Sequence, residues 1–172
     1  MHYFYHYKLE DWKILELKQE IDQVVKDYSN LVDPSVYNIS TKNGDQYHLN
    51  HDCVGKYPKS EQTMREIIKD CLGKTAIQIA NAWTVYGKKG GWHSIHNHSE
   101  YTGNDICTVT YLDVGQETIR EAGNFFYFDG KVPQKFTPST GDVVIFPASM
   151  YHGTYPQSSD NRQTLNIDFY NE

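Results

Sequence analysis

A chain of 172 residues is long enough for one domain that buries roughly 70% of the surface its unfolded form exposes, and too short for two of ordinary size. The hydrophobic fraction of 38% is modest, but 14 Tyr, 7 Phe and 3 Trp add apolar area that an aliphatic count understates. A formal charge of −6, with cations no denser than pairs such as Lys88-Lys89, argues against nucleic acid as a partner, because phosphate binding needs clustered Lys and Arg.

The segment Met1-His2-Tyr3-Phe4-Tyr5-His6-Tyr7 is aromatic but lacks a basic region followed by an apolar core. No run approaches the ~18 apolar residues of a membrane span. From Asp11 to about Tyr28, Trp12, Leu15, Leu17, Ile21, Val24, Val25 and Tyr28 recur at helical spacing, and Asp11 is placed to cap the start. Residues 29–60 carry Pro34, Gly44, Gly55 and Pro58 with no sustained period, which predicts loops with at most a short strand. A second helix is predicted from Ser60, with its hydroxyl as cap, through Met64, Ile67, Ile68 and Leu72 to a stop at Gly73.

After Gly73 short β-rich runs alternate with Gly, Pro, Asn and Asp turns. They cover 76–86, 92–97, 106–112, 124–128, 143–146 and 163–170, with two edge segments near Lys135-Phe136 and 153–155. The prediction is a single α+β domain: a helical N-terminal part over about 1–75 bracing a β-sandwich or jelly roll over about 76–172. Cys53, Cys71 and Cys107 are odd in number and have no CxxC spacing, so neither a disulfide framework nor a thiolate zinc site is indicated. A soluble, cytoplasmic protein without membrane association is the expectation.

The chemistry concentrates in Gly90-Gly91-Trp92-His93-Ser94-Ile95-His96-Asn97-His98-Ser99-Glu100. Alternate side chains on a strand share a face about 6.6 Å apart, close enough for the imidazoles of His96 and His98 to converge on one ion, while His93, Ile95 and Asn97 face away. Taken alone, such a pair reads equally well as an exposed polar face. His152, after the apolar run 143–146 and before Gly153, supplies a third imidazole that a sheet can present across a sandwich. Imidazole suits iron, copper, nickel and zinc alike, so the ligand type leaves the metal open.

Residues 80–170 resemble a known family. Trp83-Thr84-Val85-Tyr86, Gly90, His96-Asn97-His98, Thr108-Val109-Thr110-Tyr111-Leu112, Gly123-Asn124-Phe125-Phe126-Tyr127-Phe128, Pro138-Ser139-Thr140-Gly141-Asp142, His152 and Arg162-Gln163-Thr164 follow the order and spacing of the iron(II) and 2-oxoglutarate-dependent oxygenases. The likeness is to their prolyl-4-hydroxylase-like branch and to small bacterial and phage members with an HxH motif.

The resemblance implies a double-stranded β-helix, Fe(II) held by His96, His98 and His152, and 2-oxoglutarate and O2 as co-substrates. His98 stands where most members have an aspartate. An HxE pairing of His98 with Glu100 would restore a carboxylate, Asp105 is a more remote candidate, and His93 would be solvated or lie beside the ligands. Arg162 would receive the distal carboxylate of 2-oxoglutarate through its planar fork, with the Thr164 hydroxyl sharing it and the phenols of Tyr111 and Tyr86 nearby. On other proteins Arg162 would be a surface arginine and the tyrosines plain core. His48 and His51, near Asp45 and Asp52, would be solvated or line the mouth. Trp92 and the aromatic run 125–128 read as barrel packing, and Gly87 to Gly91 as the turn before the ligand strand.

The implied activity is hydroxylation of a C–H bond in a prolyl or other peptidyl residue, a protein or a small molecule. Two other readings stand beside it: a three-histidine cupin dioxygenase independent of 2-oxoglutarate, and a non-enzymatic jelly-roll binding module with a structural metal, which would need a closed coordination shell.

Overall fold

The computed structural model describes residues 3–33, 40–98 and 105–171. In chain order the elements are β1 (Tyr5–Lys8), α1 (Asp11–Tyr28), β2 (Thr41–His48), a 3-10 turn (His51–Cys53), α2 (Pro58–Leu72), β3 (Ile77–His96), β4 (Ile106–Asp113), β5 (Phe125–Asp129), β6 (Val132–Phe136), β7 (Asp142–Pro147), β8 (His152–Thr154) and β9 (Arg162–Asn171).

Every strand pairing is antiparallel, in the order β1-β7-β4-β9-β3-β8-β5-β6, with β2 added on β3. Strand β3 serves two layers. Its first part, from Ile77 to Gly87, pairs with β9 in the larger layer, and its end, at His93 and His96, pairs with β8 in the smaller one. The result is the expected jelly roll, a double-stranded β-helix. Where sequence reading separates 76–86 from 92–97 by a turn, the structure runs one strand of 20 residues. The reason is β2, which pairs with β3 on both sides of the glycine-rich segment, at Gly87 and at Trp92. Gly91 allows the close approach: a Cβ there would lie 2.6 Å from the carbonyl oxygen of Asn43.

Period-two alternation sorts each central strand into two faces. In β9, Leu165, Ile167 and Phe169 face the helices, where they join Ile106 and Leu112 of β4, Val143 and Ile145 of β7, Leu17 and Ile21 of α1, and Met64 and Ile68 of α2 in one apolar cluster. Cys107 and Tyr111 of β4, Val144 and Phe146 of β7 and Phe125 of β5 form a second cluster on the inner side. The other face of β9, carrying Arg162, Thr164, Asn166 and Asp168, is buried as well.

The helix starts differ from their sequence reading. Asp11 is the first residue of α1 and makes no cap; Glu10 stands before it, also without a capping side-chain bond. Helix α2 begins at Pro58, whose fixed φ suits the first turn. Ser60 is therefore inside the helix, and Glu20 of α1 takes the capping role instead. It accepts the backbone N–H groups of Lys59 and Ser60 at 3.0 and 2.8 Å and the Ser60 hydroxyl at 2.7 Å. Gly73 ends α2 as expected, at φ 67° with its N–H on the Lys69 carbonyl. Strand β2 is the short strand allowed within 29–60, β1 adds to the layers from the part expected to be helical, and β8 lies between β3 and β5 rather than at an edge. No helix among the described residues is long and apolar enough to cross a membrane.

Candidate metal and co-substrate site

Between the two layers lies a cavity enclosing about 690 Å³ of empty space, part of it open to solvent. Its wall includes His96, His98 and His152 together with Tyr111, Arg162 and Thr164. His96, the last residue of β3, is paired across the ladder with His152, the first of β8. The backbone N–H of His98 donates to the Ala148 carbonyl at 2.9 Å, which returns the chain toward the same point. The three rings have centroids 4.3 to 5.0 Å apart, and one ligating atom from each lies within 4.8 Å of the others.

The hydrogen bonds of the rings fix which nitrogen is offered. His96 Nδ1 is 2.6 Å from the Ser94 carbonyl, His152 Nδ1 is 2.9 Å from the Met150 carbonyl, and His98 Nδ1 is 2.7 Å from Asp168 Oδ2. A carbonyl or carboxylate oxygen accepts only, so each Nδ1 carries the proton and each Nε2 keeps its lone pair. Burial, the largest cause, and the neighbouring imidazoles push His96 down to about 4 and His152 well below the usual histidine range. His96 and His152 are thereby held neutral, the state in which imidazole ligates a metal.

His93 does not face away. A register shift between His93 and His96 brings it onto the wall of the same cavity; its Nδ1 lies 3.3 Å from the Thr41 hydroxyl, and burial lowers it to about 3. Trp92 also lines the cavity and is 41% exposed, so it sits at the rim rather than in the barrel packing.

The residues expected to meet the co-substrate divide. Arg162 is buried; its Nη1 donates to the Gly123 carbonyl at 2.8 Å and its Nη2 lies 3.4 Å from Glu117 Oε1. Its Nε is buried with no hydrogen-bond partner among the described residues, and so is the hydroxyl of Tyr111. Thr164 lies on the same wall, accepting from Asn166 Nδ2 at 3.2 Å. Tyr86 must be corrected: Trp83, Val85 and Gly87 of β3 face the cavity, so alternation turns Tyr86 outward, where its hydroxyl donates to Asp22 of α1 at 2.7 Å.

Of the remaining candidates, Asp105 accepts from the backbone and side chain of Asn171 at 2.8 and 3.1 Å, away from the histidines. Asp45 pairs with Lys88 and His48 is exposed. Glu100 and the side chain of His51 lie outside the described residues.

Sequence reasoning missed Asp168 and Glu117. Asp168 is 1% exposed, and Cys107 Sγ lies 3.2 Å from the same His98 Nδ1 that meets its carboxylate. Burial first, then Asp168, raises the Cys107 thiol well above its ordinary value. The signal for Asp168 was present in the alternation of β9, where Arg162, Thr164, Asn166 and Asp168 share one face and alternate with Leu165, Ile167 and Phe169. Glu117 sits in a connecting segment with no periodicity to expose it.

No protein-family model matches the chain, and no curated protein matches it by sequence. Solved structures do. A prolyl-4-hydroxylase from Pseudomonas putida is 16% identical over 100% of this chain and 94% of its own, with a TM-score of 0.71. The chain has the fold of the 2-oxoglutarate-Fe(II) oxygenases. A prolyl hydroxylase from Trichoplax adhaerens, solved with a hypoxia-inducible factor peptide fragment, matches at 12% identity over 98% of this chain and 83% of its own, TM-score 0.72. HygX from Streptomyces hygroscopicus, solved with nickel, 2-oxoglutarate and hygromycin B, matches at 13% over 98% and 82%, TM-score 0.68. At these identities the likeness is one of fold. The residues themselves fit the groups that the oxygenase fold implies: three converging imidazoles, each with Nδ1 turned to an acceptor, suit a divalent metal, and two buried donors on the same cavity wall with no hydrogen-bond partner among the described residues suit an anionic oxygen ligand.

Proposed function

We propose that this protein is an Fe(II)- and 2-oxoglutarate-dependent dioxygenase that hydroxylates a C–H bond. The observation that carries the reading is the pair of buried donors without partners among the described residues, Arg162 Nε and Tyr111 Oη, in the wall of the cavity that gathers His96, His98 and His152. An unsatisfied buried donor costs about 1–3 kcal/mol, and a carboxylate between them would remove that cost.

In this reading His96, His98 and His152 hold the metal through Nε2, Arg162 and Tyr111 receive the distal carboxylate of 2-oxoglutarate, and Thr164 borders it. Glu117 and the Gly123 carbonyl fix the guanidinium on its far side, so Nε is the part left to the ligand. Apolar walls from Trp83, Val85, Val109 and Phe125 keep water from the charged groups and strengthen their interactions. Bound iron supplies the activation of O2 coupled to oxidation of 2-oxoglutarate.

For the substrate we favour a prolyl or other peptidyl residue, supported by the prolyl hydroxylases among the matching folds; HygX with its hygromycin B keeps a small-molecule substrate as the comparison case. A three-histidine dioxygenase independent of 2-oxoglutarate, or a module with a structural metal, would leave the two orphaned donors without a purpose. The three free cysteines suit a reducing, cytoplasmic setting. The deciding experiment is anaerobic titration of Fe(II)-loaded protein with 2-oxoglutarate, following the visible charge-transfer band of a chelated 2-oxo acid. No band at saturating 2-oxoglutarate would sink the assignment.

A further inference from the structure

The HxH motif leaves three neutral imidazoles where a carboxylate would ordinarily contribute a negative charge to the metal. The structure contains a carboxylate one hydrogen bond away. Asp168 is 1% exposed, projects from β9 on the polar face that also carries Arg162, Thr164 and Asn166, and sits with Oδ2 2.7 Å from His98 Nδ1. His96 and His152 use backbone carbonyls two residues upstream for the corresponding contact. His98 alone among the three uses a side chain, and that side chain carries the charge.

Resting on the metal centre of the proposed function, we propose that Asp168 is the positioning carboxylate of this site: by accepting a hydrogen bond from the His98 Nδ1–H it presents Nε2 to the metal and supplies from outside the coordination shell the negative charge that the motif omits. The physical basis is general. A carboxylate behind a ligating imidazole fixes tautomer and ring orientation and makes the ligand more basic. With Nδ1 engaged by Asp168, Nε2 is the nitrogen that the His98 ring has left to offer an ion. Cys107, 3.2 Å from the same Nδ1, poses the rival arrangement, in which His98, Cys107 and Asp168 would themselves enclose an ion.

Two measurements test the proposal without reference to turnover. The first is the dissociation constant of Co(II) for wild type, Asp168→Asn and Cys107→Ala, with the absorption spectrum of each complex. An asparagine amide can donate to Nδ1 and drive the proton onto Nε2, so Asp168→Asn should bind Co(II) 10- to 100-fold more weakly, while Cys107→Ala should bind as wild type does. The second uses wild type alone and does not depend on the variant folding: 15N NMR of the histidine rings in Zn(II)-loaded protein should show His98 protonated at Nδ1 and metal-bound at Nε2. Undiminished Co(II) affinity in folded Asp168→Asn, or a proton on His98 Nε2, would overturn the inference while leaving the three-histidine centre standing. A sulfur-to-cobalt charge-transfer band that disappears in Cys107→Ala would overturn it in favour of the rival cluster. Wild-type protein that takes up no Co(II) would overturn the metal centre and this inference with it.

Discussion

The guanidinium of Arg162 lies 5.8 Å from the ring centre of Tyr111, and the two residues keep one buried donor each without a partner among the described residues. Burial raises the Tyr111 phenol above its ordinary value, although Arg162 pulls the other way, so the hydroxyl stays protonated and able to donate. In the proposed reading, cation and phenol together would receive the anionic end of 2-oxoglutarate.

Replacement of Arg162 by Ala should leave metal binding intact and raise the 2-oxoglutarate half-saturation by two to four decades, the equivalent of about 3–5 kcal/mol for a broken buried charge pair. Arg162→Lys should recover part of it, since the charge returns without the planar fork. Glu117 lies 3.4 Å from the guanidinium and holds it in place, so Glu117→Gln should raise the half-saturation by less than Arg162→Ala does. Succinate formed as a function of 2-oxoglutarate concentration reads all three. A half-saturation unchanged in Arg162→Ala contradicts the assignment of the co-substrate.

Tyr111→Phe separates stability from binding. The hydroxyl removed is unsatisfied, so the melting temperature of the ligand-free protein should hold or rise, while affinity for 2-oxoglutarate should fall about tenfold for one lost hydrogen bond to an ion. Thermal unfolding with and without 2-oxoglutarate shows both effects in one series. A variant that loses stability without ligand, and keeps its ligand-induced shift, would return Tyr111 to the role of core packing.

Tyr86→Phe should do the opposite. Its hydroxyl holds Asp22 on α1, which also receives Gln163 Nε2 at 2.9 Å and Lys18 at 2.9 Å. Losing one member of a partly exposed network should cost about 1 kcal/mol of stability and leave the 2-oxoglutarate requirement where it was. Denaturant unfolding and co-substrate titration check the two halves.

Stability of the metal-free protein should depend on pH through the buried histidines. Folding lowers His96 to about 4 and His93 to about 3, against roughly 6.5 in the unfolded chain. Between these limits the unfolded chain binds protons that the folded one refuses, so stability is fully present above about pH 6.5 and is lost as the pH falls toward 4. Melting temperatures from pH 7 to 4.5 should show the decline, shallower in His93→Gln. A flat profile would mean that these rings are more solvated than their surroundings imply.

The elements with strong periodicity were legible in the sequence. Both helices and the strands β3, β4, β5, β7 and β9 fall where alternation and helical spacing put them, and His96, His98 and His152 meet because a strand end and its ladder partner fall at those positions. Tyr86 was misplaced because order and spacing in a motif do not specify a face; the pleat does, and it turns residue 86 toward α1. His93 was misplaced for the converse reason, since a bulge between His93 and His96 breaks the alternation that assigned it outward. The cap on α2 comes from Glu20, 40 residues before Ser60, and β2 takes its register from β3. Such pairings arise from tertiary contact and leave no local trace.

Strand β9 works as a reading frame. Arg162, Thr164, Asn166 and Asp168 occupy one parity, and Leu165, Ile167 and Phe169 the other. Deleting a single residue between 163 and 167 would shift every position beyond it to the opposite face, sending Asp168 among the helices and Phe169 toward His98. Substitutions along β9 alter one contact each, whereas such a deletion would exchange the polar and apolar surfaces of the strand at once. This segment should therefore accommodate changes of side chain far more readily than changes of length, and new substrate preferences would have to be built in the connections that border the cavity.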